Sequence, residues 1–275
     1  MWRSRSHRGG PEHIWDPAEY ERNSRAQRDW AMAAIGQLRL KGSERVLDIG
    51  CGTGGVAAHL SGLVPEGAVV GLDLSREMIS FARQRYPRER YKNLSFQVGD
   101  ALHLRFHEEF DLVVSFACLH WIEDHLEVLR GVRRSLVPGG LLLLQCGGRG
   151  NAERLLEVTA EVMLEAPFSE HFCGFASPYY FYGPELYEEI VPLAGLILRR
   201  VELIPKDMVH QGRAGLEGFI RSTWLPYLER LPEELRPAFV SALAGRYLER
   251  HPADGDGSVH VSMVRLEAEA EKPAR

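Results

Sequence analysis

A loop of glycines and three acids near the ends of apolar runs carry the strongest chemical signal in this chain. Gly50, Gly52, Gly54 and Gly55 follow the apolar run Arg45–Ile49, with Asp48 two residues before the first glycine. Glycines let a backbone approach a ligand closely and take φ values closed to other residues. Asp73 ends the next apolar run, where an acid is placed to bind two ribose hydroxyls. Asp100, in Gly99-Asp100-Ala101, ends a third, where a carboxylate suits an amino group on a base. The Gly50-x-Gly52-x-x-Gly55 spacing alone is shared by dinucleotide oxidoreductases and by other binders of nucleoside ligands. Asp48 weighs against a pyrophosphate, which it would repel, and for an ammonium group held directly or through water.

These residues need a scaffold that gathers strand ends. The spacing predicts strands at Arg45–Ile49, Ala68–Leu72, Leu94–Val98, Phe110–Phe116 and Leu141–Cys146, with helices between them. Strands alternating with helices imply parallel pairing and right-handed crossovers. Before them, Asp16-Pro17-Ala18-Glu19 reads as a helix start, with Asp as cap and Pro in the first turn. The helical pattern then runs to about Leu40. Later helices are expected near Ala152–Leu164, Pro184–Leu193 and Leu216–Glu249, with returning strands at Ile197–Ile204 and His260–Leu266. The expected fold is α/β: a doubly wound, mostly parallel seven-stranded sheet with a helical cap. Its divisions are a disordered lead-in over 1–15, an N-terminal active-site helix region over 16–40, a ligand-binding core over 41–147, and cap helices with returning strands over 148–275.

Composition narrows the function classes. The 275 residues carry 33 Lys and Arg against 38 Asp and Glu, a net charge of −5 that argues against coating nucleic acid by charge alone. Arg83, Arg85, Arg88, Arg90 and Lys92 cluster, but at the end of a predicted helix, where cations favour the dipole and water. Cys51, Cys118, Cys146 and Cys173 form no CxxC pair, and the histidines show no ligand spacing, so neither disulfide framework nor metal is expected. No apolar run approaches the ~20 residues of a membrane span. The first ten residues are basic without an apolar stretch, which does not read as a signal peptide. A cytoplasmic protein acting without nucleic acid or membrane is the expectation.

Taken in order, Val46-Leu47-Asp48-Ile49-Gly50-Cys51-Gly52-Thr53-Gly54, Asp73-Leu74-Ser75, Gly99-Asp100-Ala101 and Leu136-Val137-Pro138-Gly139-Gly140 resemble the motifs of class I S-adenosylmethionine (SAM)-dependent methyltransferases. The match covers about residues 40–146. The resemblance implies SAM as cofactor, S-adenosylhomocysteine as product and no metal. It puts Asp48 and the glycine loop around the methionine portion, Asp73 on the ribose, Ser75 and Met78 beside the adenine, and Asp100 with Ala101 at its edge. Phe116 belongs to the same implied cofactor site. Met78 has a second reading, as a side chain its helix simply buries.

The acceptor is read from Ser115-Phe116-Ala117-Cys118-Leu119-His120-Trp121-Ile122. This segment has no proline, so it lacks both the [DNS]PP[FY] signature of base amino-methylating enzymes and the proline that commonly precedes a nucleophilic cysteine. Leu119-His120-Trp121 and the early helix resemble the branch of small-molecule carboxyl methyltransferases that includes the trans-aconitate and juvenile hormone acid enzymes. That resemblance implies that Gln27 and Trp121 hold a substrate carboxylate. A carboxylate of pKa near ~4 is ionised at neutral pH and needs no general base. Neutral amide and indole donors align it without trapping it in an ion pair. Gln27 could instead bond a buried backbone group, and Trp121 could be core. His120 has two readings, a base for a hydroxyl or amine acceptor or a neutral structural residue. A SAM-binding regulator without turnover is the remaining alternative. The aromatics Phe168, Phe172, Phe175, Tyr179, Tyr180, Phe181 and Tyr182 either pack the cap on the sheet or roof an acceptor pocket.

Overall fold

The computed structural model describes residues 16–274, so the expected lead-in lies outside the described residues. Seven strands form one sheet: β1 (Arg45–Ile49), β2 (Ala68–Asp73), β3 (Leu94–Val98), β4 (Phe110–Phe116), β5 (Leu136–Gly147), β6 (Ile197–Gln211) and β7 (Ser258–Glu271). Their order is β3-β2-β1-β4-β5-β7-β6. The first five pair in parallel, while β7 runs antiparallel between β5 and β6. The order reverses between β1 and β4, and it is outside the carboxyl ends of strands at such a switch that ligands bind. Among the described residues, no helix is long and apolar enough to cross a membrane.

Each sheet face is covered because the central strands are apolar on both sides, as parallel strands require. One face carries α2 (Arg25–Ile35), α3 (Gly55–Leu63) and α4 (Arg76–Arg85), packed through Ala31, Ile35, Leu60, Ile79 and Phe96. The other carries α5 (His125–Ser135) and α7 (Pro184–Leu193), packed through Leu129, Val132, Tyr187 and Val191. A third cluster builds the cap from α6 (Glu153–Val162), α8 (Gly212–Thr223), α9 (Leu225–Glu229) and α10 (Arg236–Arg250), with Trp224, Phe239 and Tyr247 inside it.

Five elements depart from the sequence reading. The single early helix is two, α1 (Pro17–Asn23) and α2, broken at Ser24. The start is as expected: Asp16 Oδ1 accepts from the N–H groups of Ala18 and Glu19 at 2.9 and 3.0 Å. β5 begins at Leu136 instead of Leu141, since Leu136 pairs with Phe110 and a register shift absorbs Pro138-Gly139-Gly140. β6 and β7 are each longer than expected because they pair with one another over most of their lengths. Pro205 is tolerated in β6 because that strand is an edge of the sheet. The stretch Leu216–Glu249 is interrupted, with helix breaks at Trp224 and around Pro232.

Candidate active site

The glycine loop leaves β1 at the switch point. Gly50, Gly52 and Gly54 take φ values of 72°, 51° and 83°. Their neighbours separate their roles. A Cβ on Gly50 would lie 2.4 Å from Cys118 Sγ, and one on Gly54 would lie 2.7 Å from Phe96, whereas at Gly52 the nearest atom is 3.9 Å away on Tyr20. Gly50 therefore lets the end of β1 approach the segment after β4, Gly54 lets the start of α3 approach β3 and α4, and Gly52 is the one with open space beside it. Asp73 ties the loop to β2, its Oδ2 accepting from Gly52 N–H at 2.8 Å and its Oδ1 from Ser75 N–H at 2.9 Å.

Asp48 is buried, and its Oδ2 has no hydrogen-bond partner. Burial first, and the Asp73 charge second, push its carboxyl up to about 7. A buried carboxylate without a cation is costly. Asp48 lines a cavity of about 60 Å3 together with Gln27, Gly50, Gly52 and Phe116. Gln27 Oε1 is a second buried acceptor there without a partner. Two orphaned acceptors on one cavity suit a ligand bearing an ammonium group. These acceptors thus fit the methionine end of SAM.

α1 and α2 lie across this cavity. Glu21 accepts from Thr53 Oγ1 at 2.7 Å, pairs with Arg28 at 2.9 Å and reaches Arg85 at 3.4 Å. Glu19 meets Arg221 of α8 at 3.2 Å, so α1 bridges the glycine loop and the cap. Tyr20 stands over Gly52, and its phenol is pushed up to about 12, chiefly by burial. The Ser24 break turns Tyr20 and Glu21 over the loop while Ala31 and Ile35 stay packed on the sheet.

His120 and Trp121 form a separate group at the ends of β4 and β5. His120 is buried, and its Nδ1 accepts from Gly147 N–H at 3.2 Å. That bond occupies the one lone pair of the neutral ring and places the proton on Nε2. Burial, then the charges of Arg265 and His125, hold its pKa well below the ordinary range. His120 is thus a neutral donor, and the base reading loses its chemical footing. Trp121 packs 5.0 Å from Tyr179, which stacks on Phe181 at 5.1 Å. The aromatic run divides: Tyr179 and Phe181 roof His120, while Phe168 and Phe172 pack on Phe239 in the cap. Cys118 lies against Gly50, and burial raises its thiol pKa, as for an inert cysteine.

The residues expected at the adenine are held by their own turns. Ser75 caps α4, with Met78 N–H 3.1 Å from its Oγ, and Met78 is buried. Asp100 accepts from Leu102 N–H at 2.9 Å and meets His103 Nδ1 at 2.8 Å, which commits both of its oxygens locally. Ala101 packs in the core. None of Asp73, Ser75, Met78, Asp100 or Ala101 borders the Asp48 cavity.

The sequence reading missed Arg265. It lies in β7, is 3% exposed, and its Nε has no acceptor. A signal existed: Val259, Val261 and Met263 alternate inward, and period two places Arg265 on the same apolar face.

Residues 46–140 match the model of a methyltransferase domain family. The chain is 30% identical over 273 residues to a trans-aconitate 2-methyltransferase of Deinococcus radiodurans, covering 94% of this chain and 98% of that relative. It is 30% identical over 217 residues to the juvenile hormone acid O-methyltransferase of Drosophila melanogaster, covering 76% and 72%. Among solved structures, the YcgJ protein of Bacillus subtilis superposes with a TM-score of 0.62 at 18% identity, covering 90% of this chain and 100% of that one. Phosphoethanolamine N-methyltransferase 2 of Haemonchus contortus, in complex with phosphomonomethylethanolamine and S-adenosylhomocysteine, gives 0.59 at 23% identity, covering 94% and 57%. The glycine loop at the switch point, the orphaned Asp48 and 30% identity over nearly the full length of a relative agree: the chain belongs to the class I SAM-dependent methyltransferases, in the branch of the trans-aconitate and juvenile hormone acid enzymes.

Proposed function

We propose that this methyltransferase esterifies a carboxylate of a small molecule. The observation that carries the reading is His120 Nδ1 accepting from Gly147 N–H, with burial keeping the ring neutral. A hydroxyl or ammonium acceptor must lose a proton, and the histidine beside the acceptor segment is not free to take one. A carboxylate arrives already ionised. Two relatives named for acids, trans-aconitate and juvenile hormone acid, support the same choice.

SAM, when bound, would supply a sulfonium methyl whose carbon bonds to the acceptor oxygen as the C–S bond breaks and S-adenosylhomocysteine leaves. The rest falls to the protein. Asp48 meets the cofactor ammonium, and Gly52 leaves backbone open beside it. Asp73 holds the ribose while anchoring the loop through Gly52. Gln27, with its Oε1 toward the ammonium, would turn its amide N–H groups to the acceptor carboxylate on the side of the separate His120–Trp121 group, whose His120 Nε2–H and indole N–H are the further neutral donors. Tyr20 and the roof of Tyr179 and Phe181 exclude water, which would otherwise solvate the attacking oxygen.

Incubation with methyl-labelled SAM and a panel of carboxylates, hydroxyls and amines, read by mass spectrometry, tests the proposal. A base-labile labelled ester is expected; label on a hydroxyl or amine refutes it. Gln27→Ala is expected to lower kcat/KM by roughly 100-fold through lost orientation. With no base to titrate, kcat/KM should be flat from about pH 8 to 9; a rising limb there would implicate deprotonation of the acceptor.

Tyr20 of α1 lines the Asp48 cavity and Glu21 ties α1 to Thr53, so SAM entry would swing α1 away from Thr53. Protease cleavage within Tyr20–Trp30 should therefore slow at least threefold when SAM is added. A cleavage rate indifferent to SAM would show that α1 is not a lid.

A further inference from the structure

Resting on the carboxylate reading above, we propose that Arg265 anchors a second anionic group of the acceptor, so that the enzyme selects small molecules carrying at least two acidic groups. Arg265 makes no hydrogen bond or ion pair among the described residues, and its Nε is a buried donor without an acceptor. Its guanidinium lies over the ring of Trp30 on α2, whose centroid is 5.6 Å from Cζ.

The neighbouring carboxylate on the same face of β7 does not neutralise it. Glu267 is buried, with Oε2 accepting from Gln145 Nε2 at 2.7 Å and Oε1 paired with Arg200. Arg200 itself also pairs with Glu269 and Glu202. One face of two adjacent strands therefore holds one over-supplied arginine and one with no counter-ion. An unpaired buried guanidinium is among the most costly groups a fold can keep. A group retained at that cost, with its donors unspent, is built for an anion from outside the chain.

Its position puts that anion beside the acceptor. Arg265 pairs across the ladder with Gly147, whose N–H holds His120. A Cβ on Gly147 would lie 2.5 Å from Phe181, so the face that Arg265 shares with its ladder partner is the one the aromatic roof covers. A bidentate guanidinium would occupy the lone pairs of an oxygen that has to attack a sulfonium methyl. Neutral Gln27 and Trp121 serve the reacting carboxylate, and Arg265 serves a different one. A mono-acid would leave the guanidinium unpaired, and sites built for a charged partner strongly reject analogues that lack it.

The test compares the wild-type chain with Arg265→Met, which keeps an unbranched apolar stem against Trp30. Thermal midpoints are measured with S-adenosylhomocysteine present and with trans-aconitate, straight-chain dicarboxylates or monocarboxylates of matched length added, followed by methyl transfer from labelled SAM. Polyacids are expected to raise the wild-type midpoint by about 3 °C or more and mono-acids not to, with Arg265→Met losing that shift. Without acid, Arg265→Met should melt no lower than wild type, and KM for a methylated polyacid should rise at least 100-fold while kcat falls less than tenfold. An equal polyacid shift in both proteins, or no wild-type shift with any acid, overturns the anchor. If Arg265→Met does not fold, Arg265→Lys decides: a tenfold higher KM supports bidentate anchoring and an unchanged one overturns it. A mono-acid esterified equally by both proteins sinks the anchor and spares the carboxylate reading. Label on a hydroxyl or amine of an acceptor whose binding still needs Arg265 does the reverse.

Discussion

Asp48→Asn should abolish useful SAM binding while making the ligand-free protein more stable at alkaline pH. The carboxyl is pushed up to about 7, mainly by burial, with Oδ2 unpartnered. The unfolded chain releases this proton near pH ~4, whereas the folded chain keeps it to about 7. Over that window the folded state binds more protons, so stability falls as pH rises. Asn has the same shape without the charge and removes the penalty. Above pH 7 the substitution should add roughly 2–4 kcal/mol and several degrees of midpoint, and at pH 4 the two proteins should melt together. SAM affinity should fall at least 100-fold at pH 8, since the ammonium loses its buried counter-charge. Wild-type affinity should itself drop up to tenfold per pH unit below 7, because binding expels the Asp48 proton. Calorimetry in buffers of different ionisation enthalpy checks this; no proton release at pH 6 would refute the assignment of Asp48 to the ammonium.

Gly50→Ala should cost far more than Gly52→Ala, although the two glycines look equivalent in the motif. Both have positive φ, so each substitution carries a left-handed penalty of about 1–3 kcal/mol. At Gly50 the new methyl would also lie 2.4 Å from both Cβ and Sγ of Cys118, whereas at Gly52 nothing comes within 3.9 Å. β1 and the segment after β4 would have to separate, opening the switch point itself. Gly50→Ala is expected to lose about 3 kcal/mol or more of stability, adding overpacking to strain, along with at least 100-fold in SAM affinity. Combining it with Cys118→Gly removes both clashing atoms and should recover the overpacking part, leaving a deficit close to that of Gly52→Ala. Denaturant unfolding of the three variants measures it, and a double variant no better than Gly50→Ala would show that strain alone is at work.

The core of the fold was legible along the chain because its determinants are local. Five apolar runs separated by helical periods and a glycine loop dictate a parallel sheet and its switch point, and the cofactor was implied by the resemblance of the ordered motifs to those of SAM-dependent methyltransferases. Pro17 and Asp16 start α1 for equally local reasons. What pairing distant segments decides was not legible: β6 and β7 extend each other, β5 begins early because Leu136 meets Phe110, and Ser24 breaks the first helix to bring Tyr20 over Gly52. The same holds for the chemistry. Residue type left His120 as base or donor, and a backbone N–H from β5 made it a donor. Asp48 could be placed by motif, but its raised pKa comes from burial and from the Asp73 charge beside it, which only the folded chain supplies. Arg265 was one charge in a strand until Gln145 and Arg200 claimed Glu267, leaving the guanidinium buried and alone. Local pattern determines which elements form, whereas burial and pairing across the sheet determine which of their polar groups remain unspent for a ligand.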